Sequence, residues 1–346
     1  MTVVVKLGST LIVGPGGRVR RSVLRERARE VAQIVGEGES VCIVTSGAIG
    51  LGLPRLGLDR RPREVPLLQA ASALGQARLQ QAWDAAFAPH RILTAQVLLT
   101  AADVADRASY LHARNAFTAL FEHGAVPIVN ENDTTATDEI TFGDNDALAA
   151  QVAVLVKARL LILLTEVDGV YTRAPGLPGA ELVADGTAAL EAEIGEGSRL
   201  GTGGMGSKIV AAQMAASGGI PTVIAGGLAK DVLVPVVAGE QRGTRFRADD
   251  RGLSAFKLWL RFGKPISGRL TVDAGARKAL VEGGASLLAV GVTAVDGRFE
   301  AGDAVELAGP DGVPFAKGIA GADAREIAGR QRGVEAVHRD RLVLLA

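Results

Sequence analysis

The chain has 346 residues, more than one hydrophobic core usually supports, so two domains are expected. Its 48% hydrophobic and 22% charged residues are ordinary for a globular protein and exclude a disordered chain. The 38 basic and 38 acidic residues cancel, which excludes nucleic-acid binding by bulk positive charge and leaves at most a local patch.

The N-terminus MTVVVKLGS lacks a basic region followed by an apolar stretch of signal-peptide length. No apolar run reaches the ~18 residues of a membrane span, so a cytoplasmic protein is expected. The single cysteine, Cys42, sits in an apolar run, which excludes an intrachain disulfide and fits a buried structural thiol in a reducing compartment.

Val3 to Lys6 reads as the first strand, with Lys6 at its end and Gly8 just beyond. In parallel sheets ligands collect outside the carboxyl ends of strands, and a glycine there lets backbone N–H groups approach an anion. A surface lysine at a strand end would produce the same pattern. Ser22 is placed to cap a helix in which Val23, Arg27, Val31, Ile34 and Val35 recur at helical spacing, Arg27 filling its position with its aliphatic stem. Val41 to Thr45 is the second strand, and SGAIGLG after it places Ser46, Gly47 and Gly50 where hydroxyl and N–H donors can hold a carboxylate or phosphate. A strand-to-helix turn needing glycine and a capping serine accounts for it equally well.

A long helix follows through LLQAASALGQARLQQAWDAAF, then a strand from Ile92 to Leu99, a helix from Asp103 to His123 and a strand from Ala125 to Asn130. The most polar stretch of the chain, NENDTTATDEITFGDND, comes directly after that strand. Asn130, Asp133 and Asn145 suit the ammonium and carboxylate groups of an amino acid; Asp144 and Asp146 suit lysines or a metal–nucleotide complex. ALAAQVAVLVKA then reads as helix and LLILL as a buried strand, ahead of Thr165 and Glu166. GTGGMGSK, from Gly201 to Lys208, contains GxGxxG but does not follow a strand, which argues against a dinucleotide fold, and it lacks the GK[ST] order of a Walker loop. What remains is a glycine loop feeding a helix from Ser207 to Ser217, able to cradle phosphates beside Lys208. Pro221 to Ile224 is the next strand.

From Gly268 onward, short strand-like pieces (RLTV, LLAVGV, AVEL) are broken by glycine, aspartate and proline turns. The expected fold is therefore α/β, an open, mainly parallel sheet with helices on both faces, followed by a small C-terminal β-rich domain. The expected boundaries are 1–252 for the first domain, 253–266 for a linker and 267–346 for the second.

Taken together, VVVKLGS, VTSGAIGLG, NEND with GDND, LLILLTEVDGVYT and GTGGMGSK stand in the order seen in the amino acid kinase family, and the chain is identified as resembling it. The pairing of NEND and GDND with GTGGMGSK is most similar to the members that phosphorylate glutamate, and the tail ending in AVHRD resembles a PUA domain. The resemblance implies ATP- and Mg²⁺-dependent phosphorylation of the side-chain carboxylate of L-glutamate to L-glutamyl 5-phosphate, opening the route to proline. It implies Lys6 and Lys208 at the transferring phosphoryl group, with Asp146 holding them. Ser46, Gly47, Asn130, Asp133 and Asn145 would bind glutamate. Lys6, Gly8, Thr165, Glu166 and the stretch Thr202, Gly203, Gly204, Met205, Gly206, Ser207 and Lys208 would bind ATP. Glu166 departs from the aspartate expected after the threonine. Metal ligands are not assigned. The family relation also implies proline as a feedback inhibitor, a homo-oligomer and coupling to the next enzyme of the route. Aspartate and acetylglutamate kinases share this logic. An RNA-binding factor acting through the PUA-like tail is the alternative from another class, disfavoured because only Phe299 and Phe315 after residue 265 could stack bases.

Overall fold

The computed structural model describes residues 1–135, 145–187, 204–249 and 252–345, arranged as two compact units, Met1–Ala255 and Phe256–Ala346. Among the described residues no helix is long and apolar enough to cross a membrane.

The first unit is built on β1 (Thr2–Leu7), a small hairpin of β2 (Val13–Gly14) and β3 (Arg18–Val19), then β4 (Ser40–Val44), β5 (Thr94–Leu99), β6 (Val126–Glu131), β7 (Leu160–Thr165), β8 (Thr222–Gly226) and β9 (Thr244–Phe246). Seven strands form one sheet in the order β5-β6-β4-β1-β7-β8-β9. Every pairing is parallel except β8 with β9. Strands covered on both faces read as continuous apolar runs, which explains why VVV of β1 and LLILL of β7 do not alternate with polar residues. β1 lies centrally, Lys6 pairing in register with Val44 on one side and Leu163 on the other. The lysine at the end of this strand is buried, not a surface residue.

The helix Arg21–Gly36 packs its Leu24, Ala28, Val31 and Ile34 into the core under the sheet. Ser22 does not cap it: the cap position is Arg20, with no side-chain cap bond. Nor does Arg27 bury only its stem. Its whole side chain is enclosed, Nε lying 2.9 Å from Glu30 Oε2 while Nη2 donates to the Ala229 carbonyl at 2.7 Å. Glu30 Oε1 in turn accepts from the Leu233 N–H at 2.7 Å. Burial pushes the Arg27 guanidinium down and the Glu30 carboxyl up, and their mutual attraction opposes both shifts. The pair therefore staples the segment after β8 to this helix, two positions of a helical pattern spent on charge because the partner segment offers a carbonyl and an N–H.

The helix expected from Asp103 to His123 is two helices, Ala101–Ala105 and Arg107–Glu122. Thr100 and Asp103 form a capping box, and Asp106 caps the second helix by accepting from the Ser109 N–H, so two start signals six residues apart break the run. Two other helices meet at glycines. A Cβ on Gly52 would lie 1.8 Å from the Ala71 carbonyl oxygen, and one on Gly75 1.8 Å from that of Ala48. That close approach lays the long helix Val65–Phe87 directly against SGAIGLG.

In the second unit, β10 (Ile266–Val272), β11 (Leu287–Leu288), β12 (Val292–Gly297), β13 (Ala304–Ala308), β14 (Pro314–Ala320) and β15 (Glu335–Leu344) form a sheet ordered β11-β15-β14-β13-β10-β12. Its core holds Leu270, Leu307, Ile327 and Val337 together with Phe299 and Phe315. Both phenylalanines are thus buried and unavailable for stacking bases. The segment read as a connector is helical over Ala255–Leu258 and Trp259–Gly263, and Arg261 Nη2 donates to the Leu345 carbonyl at 2.8 Å, tying it to this unit.

Removing one partner of the buried pair leaves the other charge unmatched. Arg27→Ala should destabilise the chain by about 3–5 kcal/mol, whereas the double change Arg27→Met with Glu30→Leu should cost far less. Urea unfolding of the three proteins checks this.

Candidate active site

The polar side chains collect at the carboxyl ends of the central strands. Asp146, in the first turn of the helix Asn145–Leu155, is fully buried. This helix starts two residues before the apolar run that announces it, and so lifts Asn145 and Asp146 out of the loop and fixes them on its N-terminal turn, where a carboxylate also meets the positive end of the dipole. Asp146 Oδ1 pairs with Lys6 Nζ from β1, and Oδ2 lies 3.0 Å from Lys208 Nζ. Ser207 Oγ lies 3.1 Å from the same Oδ2. Two buried ammonium groups thus share one carboxylate.

Lys208 sits in the first turn of the helix Met205–Ser217, which starts two residues before the Ser207 expected from the sequence. Gly204 caps that helix with φ 94°, a backbone that side chains rarely adopt, and its carbonyl accepts from Lys208 Nζ at 3.3 Å and from Ser207 Oγ at 3.0 Å. Met205 and Gly206 follow in the same turn. Gly8 stands next to the lysine pair: a Cβ on it would lie 4.0 Å from Lys6 Nζ. Thr165 ends β7 and Glu166 is exposed one residue on. Asp144, Thr202 and Gly203 lie outside the described residues.

On the β4–β6 side lies a cavity of about 240 Å³ lined by Ser46, Gly47, Asn130, Asp133 and Asn145, joined by Ser9, Arg61 and Glu131. Gly47 has φ 105°, and a Cβ there would lie 2.8 Å from Val13 Cγ2, so the turn that opens the cavity needs glycine. A chain of carboxamides forms one wall. Asn145 Nδ2 donates to the Thr45 carbonyl and to Asn130 Oδ1 at 2.6 Å, and Asn130 Nδ2 donates to Gln76 Oε1 at 2.7 Å. Both Nδ2 hydrogens of Asn145 are therefore committed to protein acceptors. Asn145 can offer a ligand only its carbonyl oxygen, and Asn130 acts chiefly as the relay that holds it so. Asp133 Oδ2 accepts from Ser72 Oγ at 2.6 Å.

The structure brings together Lys6, Asp146 and Lys208 with Gly8, Gly204, Met205, Gly206 and Ser207 in one cluster, and Ser46, Gly47, Asn130, Asp133 and Asn145 around the neighbouring cavity. Sequence reading missed Ser72, Gln76 and Arg61. Ser72 and Gln76 are four apart, on the buried face of the long helix shared with Leu68 and Leu79, and a polar pair on an apolar stripe is the signal that finds them. Arg61 sits in the charged run DRRPRE, which looks like ordinary surface.

A family model described as the amino acid kinase family matches residues 1–226. The chain belongs to the amino acid kinase family. A second model, described as the PUA domain, matches residues 268–340. Proteins named glutamate 5-kinase from Burkholderia ambifaria and Burkholderia multivorans are each 43% identical to this amino acid kinase over 361 residues, 99% of this chain and 97% of theirs. One of the same name from Cupriavidus metallidurans is 44% identical with the same coverage. A solved structure of isopentenyl phosphate kinase matches with a TM-score of 0.50 and 21% identity, covering 71% of this chain and 100% of that one, which shows the fold alone.

The geometry of this kinase sets a conflict at Asp133. Burial raises its carboxyl above the ordinary value of 3.8, with the Ser72 hydroxyl and the Arg61 charge pulling it back. A raised carboxyl binds its proton more tightly in the folded chain than in the unfolded one, so it favours folding in acid and opposes it at neutral pH. Asp133→Asn should accordingly raise the urea midpoint at pH 7, and the gain should shrink as the pH falls through the raised folded value and vanish below the ordinary aspartate value. Unfolding curves at several pH values check the sign.

Proposed function

We propose that this chain transfers the terminal phosphoryl group of ATP to the side-chain carboxylate of L-glutamate, giving L-glutamyl 5-phosphate at the entry to proline synthesis. The observation that carries the reading is the Lys6–Asp146–Lys208 cluster beside an acceptor-lined cavity of amino-acid size, in a chain that matches glutamate 5-kinases along its length.

A carboxylate is already ionised and nucleophilic at neutral pH, so the reaction needs no general base. A glutamate oxygen forms the new bond to the terminal phosphorus as the bridging P–O bond breaks and ADP leaves with its electron pair. The difficulty is bringing two anions together. Two ammonium groups and one carboxylate leave the cluster with one net positive charge in a buried site, where such a charge acts far more strongly than in water. Asp146 sets the direction of both ammoniums before substrate arrives.

In sheet order β6-β4-β1-β7, the cavity lies toward β6 and β4, the lysine cluster at β1, and Thr165 at the end of β7. We assign glutamate to the first side and ATP to the second, the phosphoryl group crossing at Lys6. Asp133 past β6 and Lys6 on β1 are two strand spacings apart, ~10 Å, so an amino acid anchored at Asp133 has to reach across β4 with its side chain. Gly8, Thr165, Glu166 and Gly204 to Lys208 would line the nucleotide, with Thr202 and Gly203 of the same loop. Mg²⁺ would enter on the ATP phosphates. Asp146 is already occupied by two ammoniums, and among the described residues no group of three or more histidine, cysteine or acidic side chains is placed to hold a metal.

Proline carries the α-carboxylate and cationic α-nitrogen of glutamate, so it fits the same anchors and would act by competition. The domain boundaries we propose are a catalytic domain over 1–252 and a PUA-like domain over 267–346, joined through 253–266.

With ATP and Mg²⁺, trapping by hydroxylamine should give hydroxamate from L-glutamate and far less from aspartate or N-acetylglutamate; equal turnover of aspartate sinks the reading. Lys6→Ala and Lys208→Ala should each lower kcat by on the order of 10²-fold or more, since each removes a cation from the developing charge. Proline should raise the apparent KM for glutamate, and Asp133→Asn should weaken both ligands together. Initial rates over a glutamate series at several proline concentrations measure both effects.

A further inference from the structure

We infer that Arg61 is the residue that reads the α-carboxylate of the acceptor substrate, and with it the requirement for a free α-amino acid. The inference rests on the reading of the cavity as the amino-acid site. The cavity wall is rich in acceptors: Asp133 and Glu131 are carboxylates, and Asn145 has only its carbonyl oxygen to offer because the Thr45 carbonyl and Asn130 take both of its N–H groups. Such a wall suits an ammonium group. These acceptors repel a carboxylate, yet every α-amino acid brings one on the same carbon. Arg61 is the cationic side chain in the cavity lining, and its charge is felt at Asp133. An ammonium at Asp133 and a carboxylate at Arg61 therefore match the two adjacent charges of an α-amino acid, while the distal carboxylate is left to extend toward Lys6.

Arg61 is exposed, so it meets a carboxylate at the mouth of the cavity, where a guanidinium can form two parallel hydrogen bonds. Its contribution belongs to binding rather than to the chemical step, because the phosphoryl group crosses at the other end of the substrate.

The test compares L-glutamate with its α-amide, L-isoglutamine, which keeps the reacting γ-carboxylate and loses only the α-charge. In the wild-type chain glutamate should be preferred in kcat/KM by on the order of 10- to 100-fold, the worth of one charge-assisted pair. Arg61→Gln should raise KM for glutamate by a similar factor, leave kcat within about threefold and leave isoglutamine turnover unchanged, so that the preference collapses toward one. Arg61→Lys should restore part of it, because a lysine keeps the charge without the planar fork. A variant that retains the full preference, or one that loses turnover of both acids equally, overturns the assignment of Arg61 while leaving the kinase reading intact. A wild-type chain that phosphorylates neither acid overturns the kinase reading itself, and the assignment with it.

Discussion

One buried carboxylate organises the first unit. Asp146 must balance two ammonium groups that come from distant parts of the chain, Lys6 from the central strand and Lys208 from the helix after the glycine loop. Neither lysine could be buried in this way without it, since an isolated ammonium would lose its charge or fail to enter the core. The arrangement is therefore cooperative in a strict sense: strand β1, the helix Asn145–Leu155 and the helix Met205–Ser217 have to be in register for any of the three charges to be tolerated. On the proposed reading, a phosphoryl group would meet donors that are already oriented, with little reorganisation left for the moment of transfer.

The same economy governs the cavity. Its wall consists of side chains whose hydrogen-bonding capacity is largely consumed by the protein: Gln76 holds Asn130, Asn130 holds Asn145, and Ser72 holds Asp133. What each residue can still offer a ligand follows from what it has already given away. That is why Asn145, a carboxamide that in isolation could donate or accept, presents an acceptor alone. The glycine contact between the long helix and SGAIGLG makes this possible, because it brings Ser72 and Gln76 within reach of residues on β6 and at its end.

Much of this was legible in the sequence. Lys6, Ser46 and Asp133 sit at or just past strand ends, which the period of the apolar runs locates without reference to tertiary structure, whereas Asn145, Asp146 and Lys208 stand in the first turns of helices and were legible from the polar and glycine-rich motifs that carry them. The parallel sheet and the β-rich tail followed from the same patterns. What sequence reading lost has a common cause. Arg27, Glu30, Ser72 and Gln76 are polar residues on buried helix faces, and each finds a hydrogen-bond partner some 54 to 203 positions away. Periodicity sees the exception but not the partner. The split near Asp106 was lost differently, because two competing caps lay inside one continuous helical pattern.

The two sides of β1 are built on opposite electrostatic principles, and the difference suits their ligands. Toward Lys208 the described site offers ammonium groups and a glycine-capped helix start, suited to phosphates. Toward β6 it offers carboxylate and carbonyl oxygens, suited to the ammonium of an amino acid. Lys6 stands on the strand between them, and on the proposed reading a cation there would attract both the acceptor carboxylate and the phosphoryl group it attacks. Asp133 shows the cost of the acceptor side: its carboxyl is held above its ordinary value by burial, and a ligand ammonium supplies the counter-charge that the fold leaves incomplete. On the proposed reading, substrate recognition at this end would relieve a desolvation penalty, whereas phosphoryl transfer at the other end would draw on the positive charge that one carboxylate leaves on two ammonium groups.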